Sequence, residues 1–352
     1  MAERVAERVA EQVHDPIIAA MSESSSMRAV VTETHGDLGT VSLKEVPKPA
    51  PGPGEILARV YTSGVNRADL LQLRGKHPAP DGWPKDILGM EFSGVVETLG
   101  SDTTRWQVGD QVMGLLGGGG YAEYVTTHGS TVLPVPDGVN EHDAGAIPEV
   151  FMTAFDAVVL QMELSAGEVV LIHAVGSGVG TAAVQIGRAI GAITIGTSRT
   201  PEKLAAASAL GLDDAVLADA DWPKKVLAVT RGRGVDVILD LVGGPYMEGN
   251  QRVIAPRGRH IVVGVPGGTA AQIDLRAMML RRVTLRGTVL RGRPVQEKAV
   301  LTRAFEDQLL SFFSIGELKP VIHRVFQPED AAVAHEVMAS NENFGKLLLH
   351  WG

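Results

Sequence analysis

The sequence predicts an α/β protein in which a doubly wound parallel sheet is joined to a β-rich domain. Short apolar runs alternate with helical segments between residues 150 and 288, which is typical of strands covered by helices on both faces. A glycine-rich turn follows the first of these strands. Between residues 28 and 148, Pro and Gly separate short strands of alternating polarity, and this pattern predicts the β-rich part.

The length of 352 residues suggests about two domains. With 45% hydrophobic residues and 41 glycines, the chain can bury a large core and make many tight turns. The net charge of -9 argues against nucleic acid as a partner, because phosphate contacts need clustered Lys and Arg. The chain has no cysteine, which excludes disulfides, thiolate catalysis and Cys-ligated zinc. No apolar run reaches the roughly 18 residues of a membrane span. We therefore expect a cytoplasmic protein that does not bind membranes.

Residues 1–26 differ from the rest of the chain. Val5, Val9 and Val13 recur at helical spacing among charged residues, and a serine-rich stretch follows. The segment lacks the apolar centre of a signal peptide. We interpret it as a disordered extension, or as the result of a start codon assigned upstream of the true one at Met27. The β-rich domain is then predicted over residues 27–149, with strands at 55–62, 92–99 and 121–126.

The glycine-rich turn is the most informative motif. It lies between a predicted buried strand at 169–172 and a predicted helix at 181–190, and it consists of Gly176, Ser177, Gly178, Val179 and Gly180. Glycines at such a turn let the backbone approach a pyrophosphate, while helix N–H groups face the anion. The spacing departs from G-x-G-x-x-G, so the flanking strands carry much of the assignment. We predict a Rossmann-type dinucleotide-binding domain over residues 150–288.

The next strand, predicted at 192–195, indicates which dinucleotide binds. Sites for NAD usually place an acid about 20 residues after the glycines to accept from the ribose hydroxyl, but residues 192–200 contain no Asp or Glu. Ser198, Arg199 and Lys203 offer a hydroxyl and two cations where a 2′-phosphate would lie. We predict NADPH as the cofactor. The alternative is that Arg199 and Lys203 are solvated surface cations.

Strands at 235–240, 260–264 and 283–287 complete the predicted parallel sheet. Helical stretches at 295–315 and 328–340 follow. A further strand at 345–350 is expected to return to the first domain, so that residues 289–352 form a C-terminal return. A nucleotide would then lie in the crevice between the domains.

Five segments in order, at 64–75, 88–96, 146–155, 173–185 and 343–349, resemble the medium-chain dehydrogenase/reductases that lack zinc. Among these, the chain is similar to the zeta-crystallin-like NADPH:quinone oxidoreductases, in particular the tumour-suppressor-inducible quinone oxidoreductase branch. The resemblance implies a GroES-like substrate domain, a homodimer, and reduction of a small-molecule quinone or other electrophilic acceptor by NADPH. Two alternatives stay open: reduction of activated C=C bonds by an enone or enoyl reductase, and an RNA-binding or structural role.

The resemblance also bears on metal binding. Zinc-dependent members of the superfamily carry Cys where this chain has Asn66 and His where it has Met90. Since a thioether is a poor zinc ligand, we predict no metal and zinc-independent chemistry. Glu91 is interpreted as a structural hydrogen-bond acceptor.

Two residues are predicted to be catalytic by this resemblance. Asn66 is expected to orient the nicotinamide or the substrate oxygen through its NH2 group, or else to be an Asx-turn residue. His77 lies where relatives place a Tyr at the rim of the substrate pocket, and it would donate to a quinone oxygen. The alternative is a surface-loop histidine without a role. Arg67 and Asp69 are expected to form a local ion pair.

Further cofactor-binding positions are carried over from the family. Thr153 is expected at the start of a helix beside the nicotinamide, the alternative being a helix-start cap. The remaining positions lie at carboxyl ends of strands or in the segment 343–349, and they are Gly264, Val265, Pro266, Thr288, Val289, Leu290, Asn343 and Lys346. His173 is interpreted as a hydrogen-bonded core histidine. Near Ala218, some relatives place a Tyr beside the adenine; this chain does not, which puts adenine stacking there in doubt.

Overall fold

A computed structural model describes residues 25–36 and 39–352 of the chain. Of the predicted disordered extension, residues 1–26, the first 24 residues lie outside the described part of the chain. Ser26 already belongs to the first strand, one residue before the predicted start of the β-rich domain.

The first domain consists mainly of antiparallel strands, as its alternating segments predict. Its elements are β1 (Ser26–Thr34), β2 (Thr40–Pro47), β3 (Glu55–Val65), α1 (Arg67–Leu73), β4 (Glu91–Leu99), β5 (Gln111–Leu115), β6 (Tyr124–His128) and β7 (Val132–Pro134), with 3-10 turns at Gly129–Thr131 and Asp143–Ala146. β1 and β2 form a two-stranded sheet of their own. β3 pairs with both β4 and β6 and so lies at the centre of the larger sheet.

The second domain confirms the predicted doubly wound parallel sheet. Its elements are α2 (Pro148–Phe155), a π-helical turn (Asp156–Gln161), β8 (Val169–Ile172), α3 (Gly178–Ala189), β9 (Ile193–Ser198), α4 (Pro201–Ala209), β10 (Asp214–Leu217), α5 (Trp222–Val229), β11 (Val235–Asp240), a 3-10 turn (Gly244–Tyr246), α6 (Met247–Val253), β12 (Ile254–Val262), α7 (Leu275–Arg281) and β13 (Thr284–Gly287). The strand order is β10-β9-β8-β11-β12-β13. All five pairings are parallel, which brings the carboxyl ends of the strands to one edge.

The chain then returns to the first domain. The remaining elements are α8 (Val295–Ser314), β14 (Ile322–Phe326), a 3-10 turn (Pro328–Asp330), α9 (Ala331–Ser340) and β15 (Lys346–His350). β15 pairs antiparallel with β3 and parallel with β14. It therefore becomes an interior strand of the first domain's sheet, whose order is β14-β15-β3-β4-β5-β7.

The largest hydrophobic core crosses the boundary between the domains. It joins Met113, Leu115 and Leu133 of the first domain to Phe155 and Phe305 of the segments that follow. The rings of Phe155 and Phe305 meet edge-on at 5.8 Å. Because this core is continuous, it holds the two walls of the interdomain cleft together. No described helix is both long enough and apolar enough to cross a bilayer.

Candidate functional site

A cleft of about 560 Å³ lies between the two domains, at the carboxyl ends of the parallel strands. It brings together residues that are far apart in sequence, from Val65 at the end of β3 to Lys346 at the start of β15. The predicted site residues that line it are Asn66, Gly176, Ser177, Gly178, Val179, Ser198, Arg199, Lys203, Pro266, Asn343 and Lys346. A crevice of this kind is where open α/β sheets bind their ligands.

The glycine-rich turn forms one end of this cleft and leads into α3. Ser177 caps the helix, since its hydroxyl accepts from the Gly180 amide at 3.1 Å. A Cβ at Gly178 would lie 2.7 Å from a Val150 methyl group and 2.9 Å from Lys346 Cδ. The missing side chain therefore keeps the backbone open beside the first N–H groups of α3, which have no intrahelical acceptor. The chemistry of this cradle fits a pyrophosphate.

Gly180 has a different role from Gly178. A Cβ there would lie 2.6 Å from Ala174 O, inside the turn itself. Gly180 is therefore needed to close the turn and does not line the cleft.

Basic side chains lie close together at the carboxyl end of β9. Arg199 is exposed and forms no hydrogen bond or ion pair with any described residue. Lys203 Nζ donates to Asn341 O at 2.5 Å. Burial lowers the pKa of Lys203, and the neighbouring Arg199 and Arg67 act in the same direction. This clustering of cations fits an anionic ligand such as a 2′-phosphate.

Arg67 belongs to this cationic cluster, and the predicted ion pair between Arg67 and Asp69 is wrong. Arg67 Nη2 donates to Met338 O at 2.8 Å and to Asn341 Oδ1 at 2.7 Å. Asp69 is fully buried. Its carboxylate accepts from the backbone N–H groups of Asn66 and Gly89 and from the Tyr121 hydroxyl. Arg67 therefore extends into the cleft from the first domain, a position that local spacing does not reveal because its partners lie about 270 residues away.

A buried ion pair lies under the cleft, between the first residues of β15 and β4, two strands of the first domain's sheet. Lys346 Nζ is 2.6 Å from Glu91 Oε1, with only 3% and 0% of the two side chains exposed. The same ammonium donates to Val65 O at 2.8 Å and to Asn66 Oδ1 at 2.7 Å. A Cβ at Gly64 would lie 2.1 Å from Glu91 Oε1, so glycine is required beside the pair. Glu91 thus has the structural accepting role that the sequence predicts.

The side-chain amide of Asn66 is already hydrogen-bonded to other groups of the protein. Its NH2 group donates to Glu91 Oε1 at 2.8 Å and to Gly64 O at 3.2 Å. Both donors that were expected to face the nicotinamide or substrate are thus bonded, and the oxygen accepts from Lys346. Asn66 is placed to orient Lys346 and Glu91 at the floor of the cleft.

The residues at this floor do not suit zinc. An ammonium, from Lys346, already lies between Asn66 and Glu91, and Met90 is buried with a thioether as its only donor atom. Across residues 25–36 and 39–352, no three His, Asp or Glu side chains cluster as metal ligands.

Several predicted residues do not themselves line the cleft. They are His77, Thr153, Gly180, Gly264, Val265, Thr288, Val289 and Leu290. His77 is half-buried, its carbonyl accepts from Arg291 Nη1 at 3.1 Å, and burial together with Arg291 lowers the pKa of its imidazole. Thr288 Oγ1 is engaged by Gln161 and Arg293.

Thr153 lies inside α2, five residues after the helix begins at Pro148, so neither the expected helix start nor a cap is correct. The reason is that Pro148 supplies the first helical residue. Thr153 is 7% exposed, and its hydroxyl has no hydrogen-bond partner in the described structure. An unsatisfied buried hydroxyl of this kind fits a ligand that supplies the missing partner.

His173 confirms its interpretation as a core histidine. Its two ring nitrogens lie 2.8 Å from Thr197 Oγ1 and 2.7 Å from Asn250 Oδ1. Burial lowers its pKa to about 4, so the ring is neutral. Sequence reasoning missed its neighbour Tyr246, which lines the cleft.

Comparison with known proteins places these features in context. The sequence profile of the "Zinc-binding dehydrogenase" family matches residues 178–306, and that of the "Alcohol dehydrogenase GroES-like domain" matches residues 52–137. A solved structure described as an NAD-dependent alcohol dehydrogenase is 32% identical, with a TM-score of 0.83, over 93% of this chain and 100% of that one. The structure of CurK enoyl reductase is 26% identical, with a TM-score of 0.81, over 92% and 99%.

Among curated proteins, the phthioceranic/hydroxyphthioceranic acid synthase of Mycobacterium tuberculosis is 31% identical over 339 residues. The match covers 95% of this chain but 16% of the synthase. This chain therefore spans a small part of the length of the curated relatives that it first matches.

Proposed function

Because the chain belongs to the medium-chain dehydrogenase/reductase superfamily, we propose that it is a metal-free, NADPH-dependent reductase of quinones. The observation that carries this proposal is the composition of the cleft. A glycine-rich turn and the cations Arg67, Arg199 and Lys203 line it, and the Lys346–Glu91 ion pair forms its floor. An acceptor in such a cleft would be held by shape and position, without a metal to polarise it.

NADPH would supply the hydride that reduces the acceptor. The α3 N-terminus with Gly176, Ser177, Gly178 and Val179 would hold the pyrophosphate. Ser198, Arg199 and Lys203 would hold the 2′-phosphate, joined by Arg67 across the cleft. Thr153 lies one helical turn after the cleft residue Val150, and we propose that its unsatisfied hydroxyl meets the nicotinamide end. We propose that His77 and the segments 264–266 and 288–290, which follow β12 and β13, border the part of the site that binds the acceptor.

Metal independence is proposed from the chemistry of the floor. Since the Lys346 ammonium is bonded to Val65, Asn66 and Glu91, it would repel a divalent cation from the position between them. Activity should survive prolonged chelation, and elemental analysis should find no stoichiometric zinc. Loss of turnover on removal of a tightly bound metal would contradict this proposal.

Reduction of activated C=C bonds is the second candidate. The proteins of similar structure include one named CurK enoyl reductase, and the curated relatives include polyketide synthases. Rates of NADPH oxidation should be compared with ortho- and para-quinones and with α,β-unsaturated ketones. Higher kcat/KM with quinones supports the first candidate, and turnover of the unsaturated ketones alone would replace it with the second.

A homodimer is proposed from one exposed edge of the parallel sheet. β13 pairs with β12 and with no other described strand. Beside it, Leu275, Met279 and Leu280 on α7 are 75%, 70% and 67% exposed. An unpaired edge next to apolar side chains suits pairing with a second copy of the chain.

Light scattering should therefore give the mass of two chains, and Leu280→Asp should reduce it to one. Val300, which is 72% exposed on α8, provides the control: Val300→Asp should stay dimeric. A monomeric wild type would disprove the proposal.

A further inference from the structure

Two buried cations near the cleft have no carboxylate partner in the described part of the chain. Lys298, in the first turn of α8, is 4% exposed, and Arg291, which follows β13, is 3% exposed. The Lys298 ammonium forms no hydrogen bond or ion pair with any described residue, and it lies 5.9 Å from the centroid of the Trp83 ring. Because a buried ammonium without a partner is costly, Lys298 points to an anion that binds from outside the chain.

The guanidinium of Arg291 is held by neutral groups. Its nitrogens donate to Gly117 O at 2.8 Å, to His77 O at 3.1 Å and to Gln72 Oε1. None of these three acceptors is a carboxylate, so the positive charge of Arg291 is not compensated by them. The same bonds fasten the loop that carries His77 to the segment after β13.

The neighbouring Arg293 does have a carboxylate partner, since its Nη2 lies 2.5 Å from Asp156 Oδ2. Lys298 has Glu149 nearby, and each affects the pKa of the other, but the two side chains form no ion pair. Burial, and next the charge of Glu91, raises the pKa of Glu149 to about 8. At neutral pH the carboxyl of Glu149 therefore keeps its proton and does not supply Lys298 with a counter-charge.

These two cations adjoin the acceptor side of the cleft. Glu149 directly precedes Val150, which lines the cleft, and its backbone N–H donates to Glu91 Oε2 at 2.8 Å at the cleft floor. Arg291 holds His77, which we have proposed to border the acceptor. An acceptor that extends from the cleft past Glu149 would therefore meet Lys298.

We propose that Lys298, supported by Arg291, binds an acidic group of the acceptor, so that the substrates are quinones that carry a carboxylate, a sulfonate or an ionised hydroxyl. This group would supply the negative charge that the described chain does not place beside the two cations. The inference rests on the proposed reduction of quinones and names the class of quinone. An unmatched buried charge lowers the stability of the free protein, and sites of function commonly carry such a cost.

The first test compares para-naphthoquinone with its sulfonate as acceptors. Lys298→Met should lower kcat/KM for the sulfonate by about tenfold to a hundredfold, the value of one charge-assisted contact, and change that for the neutral quinone by less than about threefold. Lys298→Arg should keep the wild-type preference, since the charge is kept. Lys224→Met removes an ammonium whose side chain is 82% exposed, and it is the control for the change in net charge.

A second test needs no turnover. Calorimetry measures the binding of naphthalene sulfonate, which cannot accept a hydride, and of the neutral naphthalene sulfonamide. Lys298→Met should weaken only the sulfonate, and inorganic sulfate should bind the wild type much more weakly, because it has no ring to fill the cleft. The midpoint of urea unfolding should stay the same or rise in Lys298→Met, since a buried charge without a partner is removed. A lower midpoint would indicate a structural role and count against the inference.

Equal effects of Lys298→Met on the charged and the neutral acceptor would overturn the inference and leave the proposed reductase intact. Inorganic sulfate that binds as tightly as naphthalene sulfonate would also overturn it, since the site would then take any anion. If NADPH reduces no quinone but Lys298→Met still weakens the sulfonate, the proposed function fails and the anion-binding site is supported. Should Lys298→Met not fold, as judged by circular dichroism, Lys298→Gln is measured against the same criteria.

Discussion

Replacing Lys346 with Met is expected to destabilise the folded protein by about 3–5 kcal/mol, the cost of leaving a buried charge without its partner. Lys346 Nζ is 2.6 Å from Glu91 Oε1, and 3% and 0% of these side chains are exposed. The same ammonium donates to Val65 O and Asn66 Oδ1. Its removal therefore leaves a carboxylate uncompensated and takes one donor away from each of two further acceptors.

Urea unfolding followed by circular dichroism measures this cost. Glu91→Gln alone should also destabilise, because it leaves the ammonium buried, but the Lys346→Met/Glu91→Gln double variant should cost less than the sum of the two. Lys224→Met is the matched control, since the Lys224–Asp221 pair is 82% and 61% exposed and should contribute less than about 1 kcal/mol. A Lys346→Met cost at that surface level, or strict additivity in the double variant, would refute the reasoning.

Three further predictions concern the cofactor, pH and the acceptor. Arg199→Ala and Lys203→Ala should each weaken NADPH binding by about 1–3 kcal/mol and barely change that of NADH; a double variant that keeps its preference for NADPH in calorimetry would contradict the assignment. Burial, and next the nearby Glu91, raises the pKa of Glu149 from 4.5 to about 8. The folded state thus keeps a proton there that the unfolded chain releases, and this group's contribution to stability falls as pH rises from 4.5 towards 8. Glu149→Gln should flatten that part of the curve of unfolding free energy against pH, and an unchanged slope would count against the raised pKa. His77→Ala should lower kcat/KM for quinones by about tenfold or more without changing NADPH affinity; rates equal to wild type with every accepted quinone would make His77 a loop residue without a catalytic role.

The sequence predicts the buried centre of the nucleotide-binding sheet well. β8 and β11 match their predicted bounds. β8 is an uninterrupted apolar run and β11 is apolar except for Asp236 and Asp240, close to the expected pattern for strands covered on two faces. β12 begins at Ile254 and ends at Val262, whereas the prediction was 260–264. Pro256 and Gly258 read locally as a break, yet the strand passes through them where its pairing with β11 shifts register.

The cleft was harder to predict where its residues meet through tertiary packing. β10, at Asp214–Leu217, was missed because it is short and lies among acidic residues. Arg67 was paired with Asp69 on local spacing, but burial directs Asp69 inward and leaves Arg67 to contact α9. Tyr246 carries no motif at all, and only the stack on Trp222 and His173 places it at the cleft.

The position of β15 has a consequence for how the protein is made. β15 lies between β14 and β3 in the first domain's sheet, so this sheet needs residues 322–326 and 346–350 as well as residues 55–134. During synthesis, the whole nucleotide-binding domain must leave the ribosome before β15 is available. Until then, the edge of β3 that pairs with β15 has no partner strand along residues such as Ser63 and Gly64. The domain translated first is thus completed last.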